Sequence, residues 1–456
     1  MYHSLAYLSV PLPEDILKMK HYGDFKGASK QIDYLLNNVK LPDALAIRLA
    51  IEKDILNVLN SDEYPYDHEG ACQLMSEKLK DFSEQELLDL REQGKVDWLF
   101  VNGIVHYQRR FLDTLVKTQP VYADRLYVQE DSQVDKDRRH QLQENVQLMK
   151  EKGERAARIH LKSTIKIKKE FERVGDKVKV HLPLPKNCLQ ISDIEIIRYE
   201  PQEATIADID SEQRTICFET ELEPDQVFSV EYAYTNKVSY VALDPEKAVT
   251  RNYACDVLPQ APHIQFTPYL QLLLQEIIGD ETNPVKQARA IFDFITTRVN
   301  YSFMREYVAI DNISEYAAVN LKGDCGVQAL LFITLCRMAG IPAKWQSGLY
   351  VSEYYTGCHD WAQFYVAPYG WVFADLSFAG SAYRSGHLDR WNYYFGNLDI
   401  YRMVANSEIQ SEFVPPKQFI RADPIDNQRG EVEYEDGGLL YSQLEVDQQL
   451  ISMTEL

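Results

Sequence analysis

Gly323-Asp324-Cys325-Gly326 sets a thiol among small neighbours, and two later stretches answer it, Cys358-His359-Asp360-Trp361 and Ala374-Asp375. A thiol, an imidazole and a carboxylate in that order can form a cysteine nucleophile. The imidazole takes the thiol proton, and the carboxylate fixes the tautomer and orientation of the ring. Small flanking residues clear the approach of a substrate backbone to Cys325. The candidate catalytic residues are therefore Cys325, His359 and Asp375. Asp360 is the rival orienting acid, but alternation along a strand turns it, like Cys358, away from the cleft that His359 faces.

Specific elements must position these groups. Val327, Leu330, Leu331, Thr334, Leu335 and Met338 form an apolar stripe of a helix that ends at Gly340, with Pro342 just beyond. Cys325 then lies on the first helical turn, where the dipole favours a thiolate and free backbone N–H groups can receive an oxyanion. Cys336, about three turns deeper, reads as a small buried hydrophobe. Trp345 to Tyr350, Trp361 to Val366 and Trp371 to Asp375 are strand-like, with Pro368-Tyr369-Gly370 as the turn between the last two. His359 begins one strand and Asp375 ends the next, which brings them to one end of a hairpin. Helices at Pro268 to Ile278 and after the Asn283-Pro284 cap precede the cysteine. Helices first and antiparallel strands afterwards make this an α+β domain.

Upstream, the period of the apolar residues divides the chain. Residues 1–125 read as a helical domain: Ile47, Ile51, Ile55 and Val58 share one face, and Trp98, Ile104, Tyr107, Phe111 and Leu115 form a second stripe around Gly103. Residues 126–155 are a charged linker or solvated helix. Period-two alternation then predicts a β-sandwich domain over 156–245, a meander of about five strands. The lysine row on its first strand reads as a wet sheet face. The catalytic domain spans 246–410, and 411–456 is an acidic, irregular extension.

Composition narrows the function classes. The 456 residues are 45% hydrophobic and 26% charged, as in a globular protein of several domains. A formal charge of -21 and no basic stripe argue against nucleic acid as a partner. Seven cysteines, without CxxC pairs or zinc spacing, fit free thiols in a reducing cytoplasm and no metal site. No run reaches the roughly 18 apolar residues of a membrane span, and Met1 to Pro11 lacks a basic n-region. Neither a membrane nor a cofactor is expected.

The run Gly323-Asp324-Cys325-Gly326 with Ala329-Leu330, then Ala339-Gly340-Ile341-Pro342-Ala343, His359-Asp360-Trp361 and Gly370-Trp371 to Asp375, resembles the transglutaminase-like superfamily. Animal transglutaminases, peptide N-glycanases and bacterial cysteine proteases share that core. Tyr394-Phe395-Gly396-Asn397-Leu398-Asp399, with Arg402, resembles a segment that follows the core in bacterial members. The resemblance covers residues 246 to 405 and implies a papain-like fold with Cys325 as nucleophile, His359 as general base then acid, and Asp375 as orienter. It implies a protein or peptide substrate, cleaved as an amide through an acyl-enzyme. Release to an amine, as in a transglutaminase, is the first alternative, and a catalytically idle binding or assembly module is the second. Animal transglutaminases carry an upstream tryptophan that stabilises the oxyanion, but no Trp lies between Trp98 and Trp345 here. Tyr301 is the candidate donor in its place. No calcium loop is present, so calcium dependence is not expected.

Overall fold

The computed structural model describes residues 5–59, 63–128 and 132–456. The chain forms two compact units. One gathers Ser4–Ser132 with Asn300–Asn312, and the other gathers Gln133–Val299 with Ile313–Leu456. The expected catalytic segment 246–410 is thus interrupted, because residues 300–312 join the helical unit.

In the helical unit, Asp43–Val58 buries Ile51, Ile55 and Val58, while Ile47 stays exposed. The expected stripe around Gly103 is corrected: Trp98–Val101 and Ile104–Tyr107 are an antiparallel hairpin. Asn102 and Gly103 both have positive φ, 50° and 75°. Two consecutive positive φ angles make the tight hairpin turn that Asn-Gly favours over a helix. Only Phe111 and Leu115 of that stripe lie on a helix, Phe111–Thr118, and both pack with Tyr107 in the core.

The second unit opens with the charged helix Ser132–Lys152 and continues into two antiparallel sheets. Leu444–Glu455, Glu154–Ile167, Val227–Ser239 and Ile191–Glu200 form one sheet in that order. Gly437–Gly438, Glu431–Tyr434, Lys177–Pro183, Thr215–Glu221 and Thr205–Ile206 form the other. Alternation on Glu154–Ile167 turns Ile159, Leu161 and Ile165 inward, and Phe218 meets Phe228 between the sheets with ring centroids 5.6 Å apart. On the outer face Lys166 pairs with Asp225. The reading of 411–456 as an irregular extension is corrected: its strands add to both sheets. The signal was faint because Leu444–Glu455 is an edge strand, largely exposed along its length.

The core sheet runs Phe395–Gly396, Gly370–Ala374, Thr356–Val366, Ala343–Val351 and Arg402–Asn406, all antiparallel. Helices Pro284–Arg298 and Cys325–Met338 cover one face, through Phe292 on Phe395 and Phe332 on Phe364. Asn283 caps the first of these helices by accepting from the N–H groups of Val285 and Lys286, as expected of Asn before Pro. The opposite face meets the β-sandwich: Gln190 Nε2 donates to Gln346 Oε1 at 2.7 Å, and Asn236 Nδ2 donates to the carbonyls of Ile400 and Arg402. Strand alternation thus gives each side chain of Thr356–Val366 one of two environments.

Candidate active site

Cys325 is the first residue of its helix, and Asp324 caps it by accepting from the Val327 N–H at 3.2 Å. On the neighbouring sheet, His359 Nε2 lies 2.7 Å from Asp375 Oδ2. The ladder explains this contact. Ala362 pairs with Ala374, so Asp375 follows on the same face as Trp361 and, one pleat further, His359. Asp375 also caps the helix Leu376–Arg384, accepting from the Phe378 N–H at 3.0 Å. The Phe378 ring in turn packs on the imidazole at 4.5 Å. One carboxylate therefore fixes both the ring and the wall behind it.

A buried cation stands behind this pair. Arg402 is fully buried and reaches Asp375 at 2.9 Å and Asp399 at 2.6 Å. Tyr394 donates to the same Asp399 at 2.9 Å, and Tyr350, Trp361 and Phe378 surround the guanidinium. Burial alone would raise the Asp375 carboxyl, but His359 and Arg402 hold it below its ordinary value. Burial pushes the His359 imidazole below its ordinary value, against the pull of Asp375 and with the help of Arg402. His359 Nε2 is committed to Asp375, which leaves Nδ1 outside that pair.

The thiol has a different partner. Cys325 Sγ donates to Asp360 Oδ2 at 3.1 Å, and no hydrogen bond joins it to His359 among the described residues. Alternation turns Asp360 and His359 to opposite faces, and the cysteine helix lies on the Asp360 side with Phe364. The expectation that Asp360 faces away from the nucleophile is corrected. The pleat was read properly, but which face the helix covers was not in the strand pattern. Gln428 Nε2 donates to Asp360 Oδ1 at 2.6 Å and to the His359 carbonyl at 3.1 Å. Asp426 faces Asp360 as well, its own carboxyl pushed well up by burial and then by the Asp360 charge. Burial pushes Asp360 up to about 7, Asp324 and Asp423 adding to the rise while Asp426 and the thiol oppose it.

This setting opposes the thiolate expected at a helix N-terminus. Burial first, then the carboxylates of Asp360 and Asp324, push the Cys325 thiol well above its ordinary value. Desolvation and the two carboxylates act against the helix dipole at this half-buried thiol. Cys336 is fully buried in the same helix, and Cys358 is raised by burial, with Arg429 opposing the rise. Tyr301 belongs to the helical unit, where its ring lies 4.1 Å from the Lys117 ammonium and edge-on to Phe303. Sequence reasoning passed over Gln428 and Asp426 because they sit in the stretch read as an extension. Asp399 and Arg402 were marked only by resemblance, although their i,i+3 spacing suits an ion pair.

Residues 271–376 match the profile of the Transglutaminase-like superfamily. An uncharacterized protein of Haemophilus influenzae is 27% identical over 149 residues, a match spanning 27% of this chain and 40% of that protein's length. Among solved structures, a "putative cysteine protease" from Cytophaga hutchinsonii is 15% identical, with TM-score 0.38 over 66% of this chain and 90% of that one. The periplasmic domain of TgpA from Pseudomonas aeruginosa is 11% identical, with TM-score 0.29 over 55% and 96% of the two chains.

Proposed function

We propose, from a chain whose residues 271–376 carry a transglutaminase-like core, that this protein is a cysteine-dependent hydrolase of peptide or amide bonds. Cys325 is the nucleophile, His359 the base and then the acid, and Asp375 the carboxylate that holds the ring. The observation that carries the reading is the buried 2.7 Å pair of His359 and Asp375, backed by Arg402. A carboxylate so placed fixes one imidazole tautomer and stabilises the imidazolium formed during turnover. A rearrangement of the first turn of the Cys325 helix, which frees the thiol from Asp360 and carries it to the His359 side, is the step proposed to precede the chemistry.

The proton then passes from sulfur to His359 Nδ1, and the thiolate attacks the substrate carbonyl. The oxyanion meets backbone N–H groups of the first turn after Asp324. Collapse expels the amine, which takes its proton from the imidazolium, and leaves a thioester on Cys325. Water attacks the thioester, giving its proton to His359, and the acid departs as the thiol re-forms. An amine in place of water would make the protein an acyltransferase.

The Cys325–Asp360 hydrogen bond favours a second reading, a core that binds a protein partner without turnover. Peptide-library cleavage by the native chain, compared with Cys325→Ala, separates the two. Cleavage lost in the variant supports the hydrolase, and no Cys325-dependent product, with or without a fluorescent amine acceptor, leaves the binding module.

A further inference from the structure

Asp360 holds the thiol on the face of the sheet away from His359, and residues that follow the catalytic core hold Asp360. Cys325 Sγ donates to one of its oxygens at 3.1 Å and Gln428 Nε2 to the other at 2.6 Å. Gln428 also grips the carbonyl of His359 at 3.1 Å, so one amide ties both strand neighbours to the segment 423–428. That segment is fixed in turn: Ile425 N donates to Asp423 Oδ1, Asn406 Nδ2 to the Asn427 carbonyl, and Gln448 Nε2 to the Gln428 carbonyl. Nothing in the proposed chemistry requires a carboxylate on the thiol, and a carboxylate there keeps the proton on sulfur.

We propose that Asp360 is a positioning residue that restrains Cys325 as a thiol, and that Gln428 sets this restraint from the C-terminal segment. The inference rests on the reading of Cys325 as the nucleophile. It differs from the proposed reaction in what it asks of the residue: Asp360 acts on Cys325 before substrate is engaged and touches no reacting carbonyl. The groups facing Asp360 are Cys325 and Asp324 of the helix, Asp423, Asp426 and Gln428 of the C-terminal segment, and Ser347 across the ladder. Arg429, next to Gln428 in the C-terminal segment, stands beside Cys358, two residues before Asp360. Most of these groups are anionic or neutral, so removing the Asp360 carboxylate eases ionisation of the thiol.

The test is the rate of iodoacetamide labelling at each cysteine of the full chain, followed by peptide mass spectrometry across pH, with exposed Cys255 as reference. Asp360→Ala is expected to raise Cys325 labelling at neutral pH about ten-fold or more, since each unit of thiol pKa is a factor of ten in thiolate. The midpoint of its pH profile moves down, while labelling of buried Cys336 stays unchanged. Gln428→Ala, which leaves Asp360 in place, is expected to move Cys325 in the same direction by less. Unchanged Cys325 labelling in both variants overturns the proposal, and so does a parallel rise at Cys336, which would mean a loosened helix. Labelling needs no turnover, so the two readings fail separately. A response without Cys325-dependent hydrolysis leaves the restraint and removes the hydrolase, and hydrolysis with labelling indifferent to Asp360 does the reverse.

Discussion

Two carboxylates within sixteen residues of each other meet opposite demands. Asp375 is anionic beside an imidazole and a guanidinium, and Asp360 is held at about 7 by burial among other acids. Their linkage to stability differs accordingly. Asp360 titrates near 3.9 when unfolded, so the folded state binds the extra proton between about 4 and 7. Its contribution to stability is present below the unfolded value and is lost as pH rises through the folded one. Asp360→Asn removes the dependence. Its melting temperature relative to the native chain is expected to increase from about pH 4.5 to about pH 8, and a difference flat in pH would refute this account.

The buried histidines have the reverse sign. Burial lowers His181 far below its ordinary value with lysines nearby, holds His263 at about 3 and lowers His359. The unfolded chain binds these protons near pH 6.5, so stability falls as pH drops below that value toward the folded ones. Urea midpoints are expected to decline on acidification through pH 6. His263→Phe is expected to make that decline shallower. Arg402 gives a sharper residue-scale expectation. Arg402→Met leaves Asp375 and Asp399 buried without their cation, and breaking such a network costs about 3–5 kcal/mol, read as a lower urea midpoint. At this scale the His359–Asp375 contact was legible, because the two residues stand at one end of adjacent strands. Asp360 was not, because alternation names two faces without saying what covers either.

The elements add their own constraint at Gly348, which lies opposite His359 in the ladder. A Cβ there would come within 2.0 Å of the Met403 carbonyl oxygen, where the strands Ala343–Val351 and Arg402–Asn406 cross a register shift. Gly348→Ala is expected to separate these strands, loosen Arg402 from Asp375, and lower both melting temperature and Cys325-dependent turnover. Asp324→Ala removes a helix cap and should cost about 1 kcal/mol in urea unfolding, while easing thiol ionisation. Helix ends were the most legible feature of this chain, since Asn283-Pro284 and Gly340 mark them chemically. The hairpin at Trp98–Tyr107 was missed because its apolar residues, counted by spacing, also fit a helical stripe. The Asn102-Gly103 turn was the better evidence, because backbone sign outranks side-chain periodicity where the two disagree.

At the scale of the whole molecule, chain order and spatial order part company. Residues after the core return to the sandwich, where Leu444–Glu455 lies along Glu154–Ile167 and Glu431–Tyr434 along Lys177–Pro183. A chain truncated after residue 440 loses the first of these strands and exposes the edge of Glu154–Ile167. Early proteolysis of the second unit and loss of its cooperative melt are expected, with limited trypsin digestion as the measurement. Sequence patterning could not announce this closure, since pairing over such separation leaves no local trace and an edge strand carries a weak apolar signal.

Leu444–Glu455 also bears on the order of events during synthesis. Glu154–Ile167 leaves the ribosome long before its partner exists, and at about 5–20 residues per second the wait is on the order of tens of seconds. Its inner pairing with Val227–Ser239 can form meanwhile, but the outer edge stays open. The segment bearing Gln428 emerges in the same late interval, so the Cys325 thiol is translated before the amide that clamps its carboxylate partner. A nascent chain stalled between those points would carry a more reactive cysteine than the finished protein, and ribosome-bound intermediates are where that difference would appear.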